Sequence, residues 1–238
     1  MIKAWLRNFR DKIFGINKLE FRIDKKAKEY SDFKFKELKA MEILKPYFPN
    51  GYVFETSYTL SFQIIQHIAN DIIIHKPQTI LEIGSGLSTI ILSNLISELK
   101  HDPNFISIDQ DLKWQNHIKP HCKNVEFFNF DITKNEESTF DWSWFNIPKD
   151  SFLREIKFDL VIIDGPKGFE SKYARYGIID FLKGRVMEST IVFLDDTDRE
   201  DEQFILQNLR DTLSFKFCDS FYKYSRLTQT NFIVTSPS

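Results

Sequence analysis

Residues 79–92, Thr-Ile-Leu-Glu-Ile-Gly-Ser-Gly-Leu-Ser-Thr-Ile-Ile-Leu, constrain the fold more than any other stretch. The apolar run at 80–83 predicts a buried parallel strand, and it breaks off into Gly84-Ser85-Gly86. Ile90, Ile91, Leu92 and Leu95 follow at helical spacing. Strand, glycine turn and helix in that order let backbone approach a ligand closely at a helix N-terminus. Glu82 is the unusual member, a carboxylate inside an apolar strand. Burying it is costly unless it is hydrogen-bonded, so fixed partners are expected in the turn or in a ligand.

Two nucleotide-type readings compete for this turn. A dinucleotide site wants Gly-x-Gly-x-x-Gly, with the third glycine allowing close helix–strand packing and the helix end facing a pyrophosphate. Here the third glycine position is Thr89, and Glu82 adds negative charge beside the would-be phosphate. A ligand with a positive centre and no phosphate suits Glu-x-Gly-x-Gly better. The stretch resembles motif I of the class I S-adenosylmethionine-dependent methyltransferases. That resemblance implies that Glu82, Gly84, Ser85 and Gly86 surround the amino acid end of the cofactor. For the motif alone, an ordinary turn in another α/β domain stays open.

The length of 238 residues suits one sizeable core plus an extension. The expected division is an N-terminal helical extension at 1–50 and a methyltransferase-like domain at 51–238. A hydrophobic content of 42% with 28% charged residues is globular. The formal net charge of −2 gives no general electrostatic case for nucleic acid binding. Cys122 and Cys218 have neither metal-ligand spacing nor a disulfide framework, which fits a reducing compartment. No apolar run reaches membrane-spanning length and no signal-peptide core is present, so a cytoplasmic location is expected.

Ile2, Trp5, Leu6, Phe9, Ile13 and Phe14 fall at helical spacing with Lys3, Arg7, Arg10 and Lys12 largely between them. Such a basic amphipathic stretch, continued by a helical pattern over 18–45, suits an anionic membrane surface or a partner. Packing on its own domain or self-association with a second copy is the favoured reading. A second helix is expected over 55–75, where Tyr58 and Ser61 either face the ligand or serve capping and packing.

A strand at 105–108 ends in Asp109, and one at 125–128 leads to Phe130-Asp131-Ile132. An acidic residue ending the second strand of such a unit can accept hydrogen bonds from ribose hydroxyls. The resemblance implies that role for Asp109, and for Asp131 a hydrogen bond to the adenine amino group beside Phe130 or Ile132. Residues 134–157 read as an insertion whose Trp142, Trp144, Phe145 and Pro148 form either a substrate-pocket wall or a satellite cluster. The strand at 157–163 ends in Asp164-Gly165-Pro166-Lys167, a helix is expected over 173–187, and a strand at 189–194 ends in Asp195-Asp196. Thr197 and Glu200 suggest a capping box for the next helix. Closing strands are expected at 215–217 and 231–234. This alternation predicts an α/β fold with a doubly wound, mainly parallel sheet; the resemblance implies that the sheet is Rossmann-like with an antiparallel terminal strand.

Asp164, Lys167 three residues later, and Asp195-Asp196 are similar to the Asp-x-x-Lys and Asp-Asn features of small-molecule O-methyltransferases of the catechol type. The resemblance implies that Asp164, Asp195 and Asp196 hold Mg²⁺ and that Lys167 acts as base. An acid stands here where that group has an amide. Asp164 acting directly as base, without metal, is the competing local arrangement. Nearby carboxylates oppose the lowered pKa a basic Lys167 would need. Arg175 and Arg199 would pair with these acids or bind an anionic substrate. The expected activity is methyl transfer from S-adenosylmethionine to a small-molecule or sugar hydroxyl. The alternatives are a catalytically silent methyltransferase-like docking module and an NAD-type oxidoreductase.

Overall fold

The computed structural model describes residues 9–12, 15–49, 55–135, 142–168, 171–231 and 235–237. The basic amphipathic pattern expected over the first residues falls mostly outside them, at 1–8 and 13–14, as does most of the strand expected at 231–234. No helix among the described residues is long and apolar enough to cross a membrane.

The centre is a seven-stranded sheet in the order β3-β2-β1-β6-β7-β9-β8. Its strands are β1 (Thr79–Ile83), β2 (Asn104–Asp109), β3 (Val125–Asn129), β6 (Phe158–Ile163), β7 (Val186–Leu194), β8 (Phe217–Ser220) and β9 (Ser225–Thr228). Neighbours from β3 to β7 run parallel, whereas β9 pairs antiparallel with both β7 and β8. The parallel strands are apolar almost throughout because helices cover both faces. Ile80, Phe105, Leu160, Ile162 and Phe193 pack towards α2 (Phe62–His75) and α3 (Leu87–Glu98). Leu81, Ile83, Ile106, Val161 and Ile163 face the other way, towards α5 (Gly177–Leu182) and α6 (Glu200–Leu213). A one-residue slip would exchange the two sets, so the register is firmly specified.

α1 (Ile16–Leu44) is integrated at its C-terminal end, where Ala40 and Leu44 are buried with α2 and α3. Glu37 of α1 also accepts hydrogen bonds from the amides of Phe62 and Gln63, both at 2.9 Å. It thereby satisfies donors at the start of α2 that the neighbouring Ser61 hydroxyl does not. Further towards the N-terminus Leu19, Phe21 and Ile23 are more than half exposed.

Several expectations need correction. The helix expected over 55–75 starts only at Phe62. The one expected over 173–187 is confined to α5, because Gly184 takes a φ of 74° and turns the chain into β7 at Val186. Thr197 does not cap α6; its hydroxyl lies 3.0 Å from that of Ser225 and ties the end of β7 to β9. The closing hairpin runs through β8 and β9, joined by a Phe221 amide to Tyr224 carbonyl bond of 2.8 Å. Buried Phe215 lies just outside β8.

The insertion forms a small antiparallel ribbon, β4 (Ile132–Lys134) with β5 (Ser143–Phe145). Trp142 and Trp144 are buried in the main core. Gly177 begins α5 directly against Trp144, so a β-carbon there would overlap the indole. Gly177→Ala is expected to cost roughly 1–3 kcal/mol through overpacking. A denaturant midpoint equal to wild type would refute this packing.

Candidate functional site

The strand order reverses between β1 and β6, and a cleft opens at their carboxyl ends. This is where open α/β sheets place ligands. The cleft is lined by Gly84 to Ser88, by Asp109, Gln110, Asp111 and Trp114 after β2, by Phe145, and by Asp164 to Lys167 after β6. Thr56, Tyr58, Thr59 and Leu60, from the segment before α2, close the remaining side.

Two glycines make the floor. Gly84 has a φ of 98°, and a β-carbon on it would stand 3.2 Å from the Gly165 nitrogen. Gly165 faces it in turn, with a hypothetical β-carbon 3.1 Å from the Gly84 nitrogen. The two strand-end turns therefore touch backbone to backbone, an approach side chains would prevent.

The amides of the turn are consumed internally. Gly84 N donates to the Ile108 carbonyl, Ser85 N to Asp109 Oδ2 and Gly86 N to Thr89 Oγ1, each at 2.8 Å. A dinucleotide turn uses such amides on its pyrophosphate, and here they are already engaged. Trp114 Nε1 donates to the Ser85 carbonyl at 2.7 Å, pinning the turn from the helix α4 (Leu112–Ile118).

Glu82 lies beneath this turn and does not line the cleft. It is fully buried, and its carboxylate accepts from Ser88 Oγ and Thr89 Oγ1 at 2.6 Å and from Ser107 Oγ at 2.9 Å. Glu82 orients Thr89, which in turn holds the Gly86 amide. Burial, the largest influence, raises the Glu82 pKa from 4.5 to about 7 against the three hydroxyl bonds. The folded state therefore binds this proton more tightly than the unfolded chain. Stability is expected to fall as pH rises from about 4.5 to 7, and to level off above. Glu82→Gln removes that contribution. Its stability relative to wild type is expected to improve by roughly 2–3 kcal/mol between pH 5 and pH 8. Denaturant unfolding of both proteins across that range checks it, and a difference independent of pH contradicts it.

Asp109 sits at the end of β2 as expected and lines the cleft. Its Oδ1 accepts from the Asp111 amide at 2.7 Å while Oδ2 holds Ser85 N. Burial raises its pKa, and those two backbone bonds oppose the rise. Asp111 caps α4, its Oδ1 accepting from Trp114 N at 3.0 Å. Asp131, by contrast, is exposed and outside the cleft lining. The chain turns there into β4, with the Asn146 amide on its carbonyl at 2.8 Å, while Phe130 and Ile132 pack on the core.

A second pocket, with a cavity volume of about 540 Å³, adjoins the first. That volume suits a small molecule. Asp164 and Lys167 are the charged residues that line both spaces, together with Thr56, Tyr58, Thr59 and Leu60. Lys167 Nζ pairs with Asp111 Oδ2 at 3.6 Å and lies 6.0 Å from the centre of the Tyr58 ring. It thus reaches across the first cleft, between Asp111 and Tyr58. The N-terminal helix contributes Phe33, Lys34 and Glu37 to the second pocket, a contribution outside the sequence expectations.

Asp164, Asp195 and Asp196 can each bring one carboxylate oxygen within 4.8 Å of the others. The hard oxygen donors alone would suit a divalent ion. Arg175 intervenes. Its Nη2 lies 3.2 Å from Asp164 Oδ1, 3.1 Å from Asp196 Oδ2 and 3.0 Å from the Asp164 carbonyl, and Nη1 donates to the Asp195 carbonyl at 3.0 Å. Arg199 adds a second guanidinium 3.0 Å from Asp196 Oδ2, from a half-exposed position. The set does not fit Mg²⁺ while Arg175 is seated. Burial first, then the neighbouring Asp195, pushes the Asp164 pKa well above the usual carboxylate range, with Arg175 opposing. Burial and Asp196 raise that of Asp195 to about 7. Asp195 Oδ1 is buried and has no hydrogen-bond partner among the described residues.

No family model and no curated protein matches the sequence. Solved structures do match. A proposed O-methyltransferase from Klebsiella pneumoniae is 13% identical with a TM-score of 0.50, over 79% of this chain and 89% of that one. The S-adenosylhomocysteine-bound Podospora anserina methyltransferase PaMTH1 is 14% identical at a TM-score of 0.46, covering 82% of this chain and 88% of its own. The O-methyltransferase TomG from Streptomyces achromogenes, in complex with S-adenosylmethionine, is 13% identical at 0.44, over 78% and 95%. At such identities the likeness is one of fold, and it rests on the first of these. The chain has the Rossmann-like fold of the class I S-adenosylmethionine-dependent methyltransferases.

Proposed function

We propose that the protein is an S-adenosylmethionine-dependent methyltransferase acting on a hydroxyl of a small molecule or sugar. The observation that carries this reading is the meeting of two spaces at Asp164: a cleft over the Gly84-Ser85-Gly86 turn, and a pocket of acceptor size beside it. Methyl transfer needs two ligands held end to end, with one proton to manage between them. When bound, S-adenosylmethionine supplies a methyl group already activated by its sulfonium.

The chain does the rest. Asp109 receives the ribose hydroxyls at the end of β2, and the turn over Gly84 and Gly86 admits the amino acid end. Trp114 and Phe145 offer apolar surface within the same cleft. Asp164, at the junction, accepts the proton of the acceptor hydroxyl as the oxygen takes the methyl group. Burial raises the Asp164 pKa, which makes its carboxylate a stronger proton acceptor. Asp195 also lines the second pocket, with its Oδ1 buried and unpaired among the described residues. Lys167, engaged by Asp111, contributes positive charge and is assigned no proton. Mg²⁺ has no part in this reading, since Arg175 already occupies the carboxylates.

Calorimetry on the full chain tests the assignment, with S-adenosylmethionine, S-adenosylhomocysteine and NAD as ligands. Micromolar binding of the first two and none of NAD is expected. Binding of NAD alone would favour the oxidoreductase, and no binding to any of them by folded protein would sink the enzyme reading.

A further inference from the structure

The three strand-end carboxylates surround a guanidinium that is itself fixed. Asp164 and Asp195 leave adjacent parallel strands side by side, with the Asp195 amide on the Ile163 carbonyl at 3.1 Å. Asp196 takes a φ of 60°, a left-handed conformation that aspartate tolerates better than most residues. Arg175 arrives from the segment before α5 with a side chain only 4% exposed.

Three features hold it there. Two of its bonds go to main-chain carbonyls, of Asp195 and Asp164, which cannot rotate away. Its remaining bonds go to the carboxylates of Asp164 and Asp196, one on each side. Finally, arginine does not lose its proton in proteins, so the charge persists at any working pH.

A divalent ion bound by this triad would require carboxylate oxygens at about 2.0–2.6 Å. Asp164 Oδ1 and Asp196 Oδ2 already serve Arg175 at 3.2 and 3.1 Å. An ion drawing on the same oxygens would face a guanidinium across them in a site of low dielectric, where like charges repel strongly. Displacing Arg175 would leave a buried charge and two carbonyls without partners, a costly exchange.

We propose that the Arg175 guanidinium takes the place of a divalent cation at this triad and excludes one, which makes Arg175 a positioning residue for Asp164. The exclusion is read without cofactor or acceptor, so its failure is separable from that of the methyltransferase reading.

The test is a Mn²⁺ titration of the full chain, followed by the electron paramagnetic resonance signal of free Mn²⁺. Wild type is expected to show no saturable site below the millimolar range. Arg175→Met, which keeps much of the volume and removes the charge, is expected to gain a site at least about tenfold tighter. Adding Asp196→Ala to that variant should abolish the gain, whereas Arg175→Lys, which keeps a cation, should show none. A sub-millimolar site in wild type that Asp196→Ala removes would overturn the proposal, and so would a folded Arg175→Met protein without any gain. If Arg175→Met fails to fold, wild type against Asp196→Ala still tests the exclusion, since a sub-millimolar site at the triad would overturn it.

Discussion

Arg226→Ala is expected to lower folding stability by roughly 3–5 kcal/mol, the cost of breaking a buried ion pair from one side. Arg226 lies on β9 and Asp71 on α2, and both side chains are 1% exposed. Arg226 Nε donates to Asp71 Oδ2 at 2.7 Å, while Thr235 Oγ1 donates to Asp71 Oδ1 at 2.6 Å. Removing the guanidinium takes the ion-pair partner from an aspartate side chain that is itself only 1% exposed. The nearest titratable neighbour, His75, has its pKa lowered mainly by burial and offers little compensating charge. A loss of this size is a large share of the ~5–15 kcal/mol that holds an ordinary domain together. Denaturant unfolding measures it, and a loss below about 1 kcal/mol would show that the pair is not isolated from solvent. Replacing both partners with apolar residues, as in Asp71→Leu with Arg226→Met, is expected to recover most of the loss, because no unpaired charge remains.

Asp109→Ala is expected to weaken S-adenosylmethionine binding by about 10- to 100-fold, the size of one or two hydrogen bonds to a charged group. Two effects add. The ribose hydroxyls lose their acceptor, and the amides of Ser85 and Asp111 lose the carboxylate that holds them at 2.8 and 2.7 Å. Asp109→Asn separates the two, since an amide side chain retains one acceptor oxygen and should fall between wild type and alanine. Calorimetry on the three proteins reads the order directly. Unchanged affinity in the alanine variant would remove Asp109 from the cofactor site and leave it as a support of the turn.

Much of the architecture was legible because both sequence periodicity and glycine placement are local signals. Runs that are mainly apolar, at 80–83, 105–108 and 158–163, mark strands covered on both faces, and β1, β2 and β6 lie there. The same holds for Asp109 and Asp164, since a residue at the carboxyl end of a central strand faces the cleft whatever its neighbours do. β9 was not legible. Arg226 interrupts its pattern, and that charge is tolerable only because Asp71, 155 positions away in sequence, meets it.

The site divides along the same line. Sequence by itself determined where β1, β2, β3, β6 and β7 lie along the chain and the Gly84-Ser85-Gly86 turn, together with the acids that end β2, β6 and β7. All of these depend on residues within a few positions of one another. Only the tertiary structure decided what those acids meet. It put Glu82 under three hydroxyls and left Asp131 in solvent. It also brought Arg175 from the segment before α5 into the carboxylates where a metal ion was expected. Partner choice for a buried charge is a long-range matter of which side chains converge, and hydrophobic period carries no information about it.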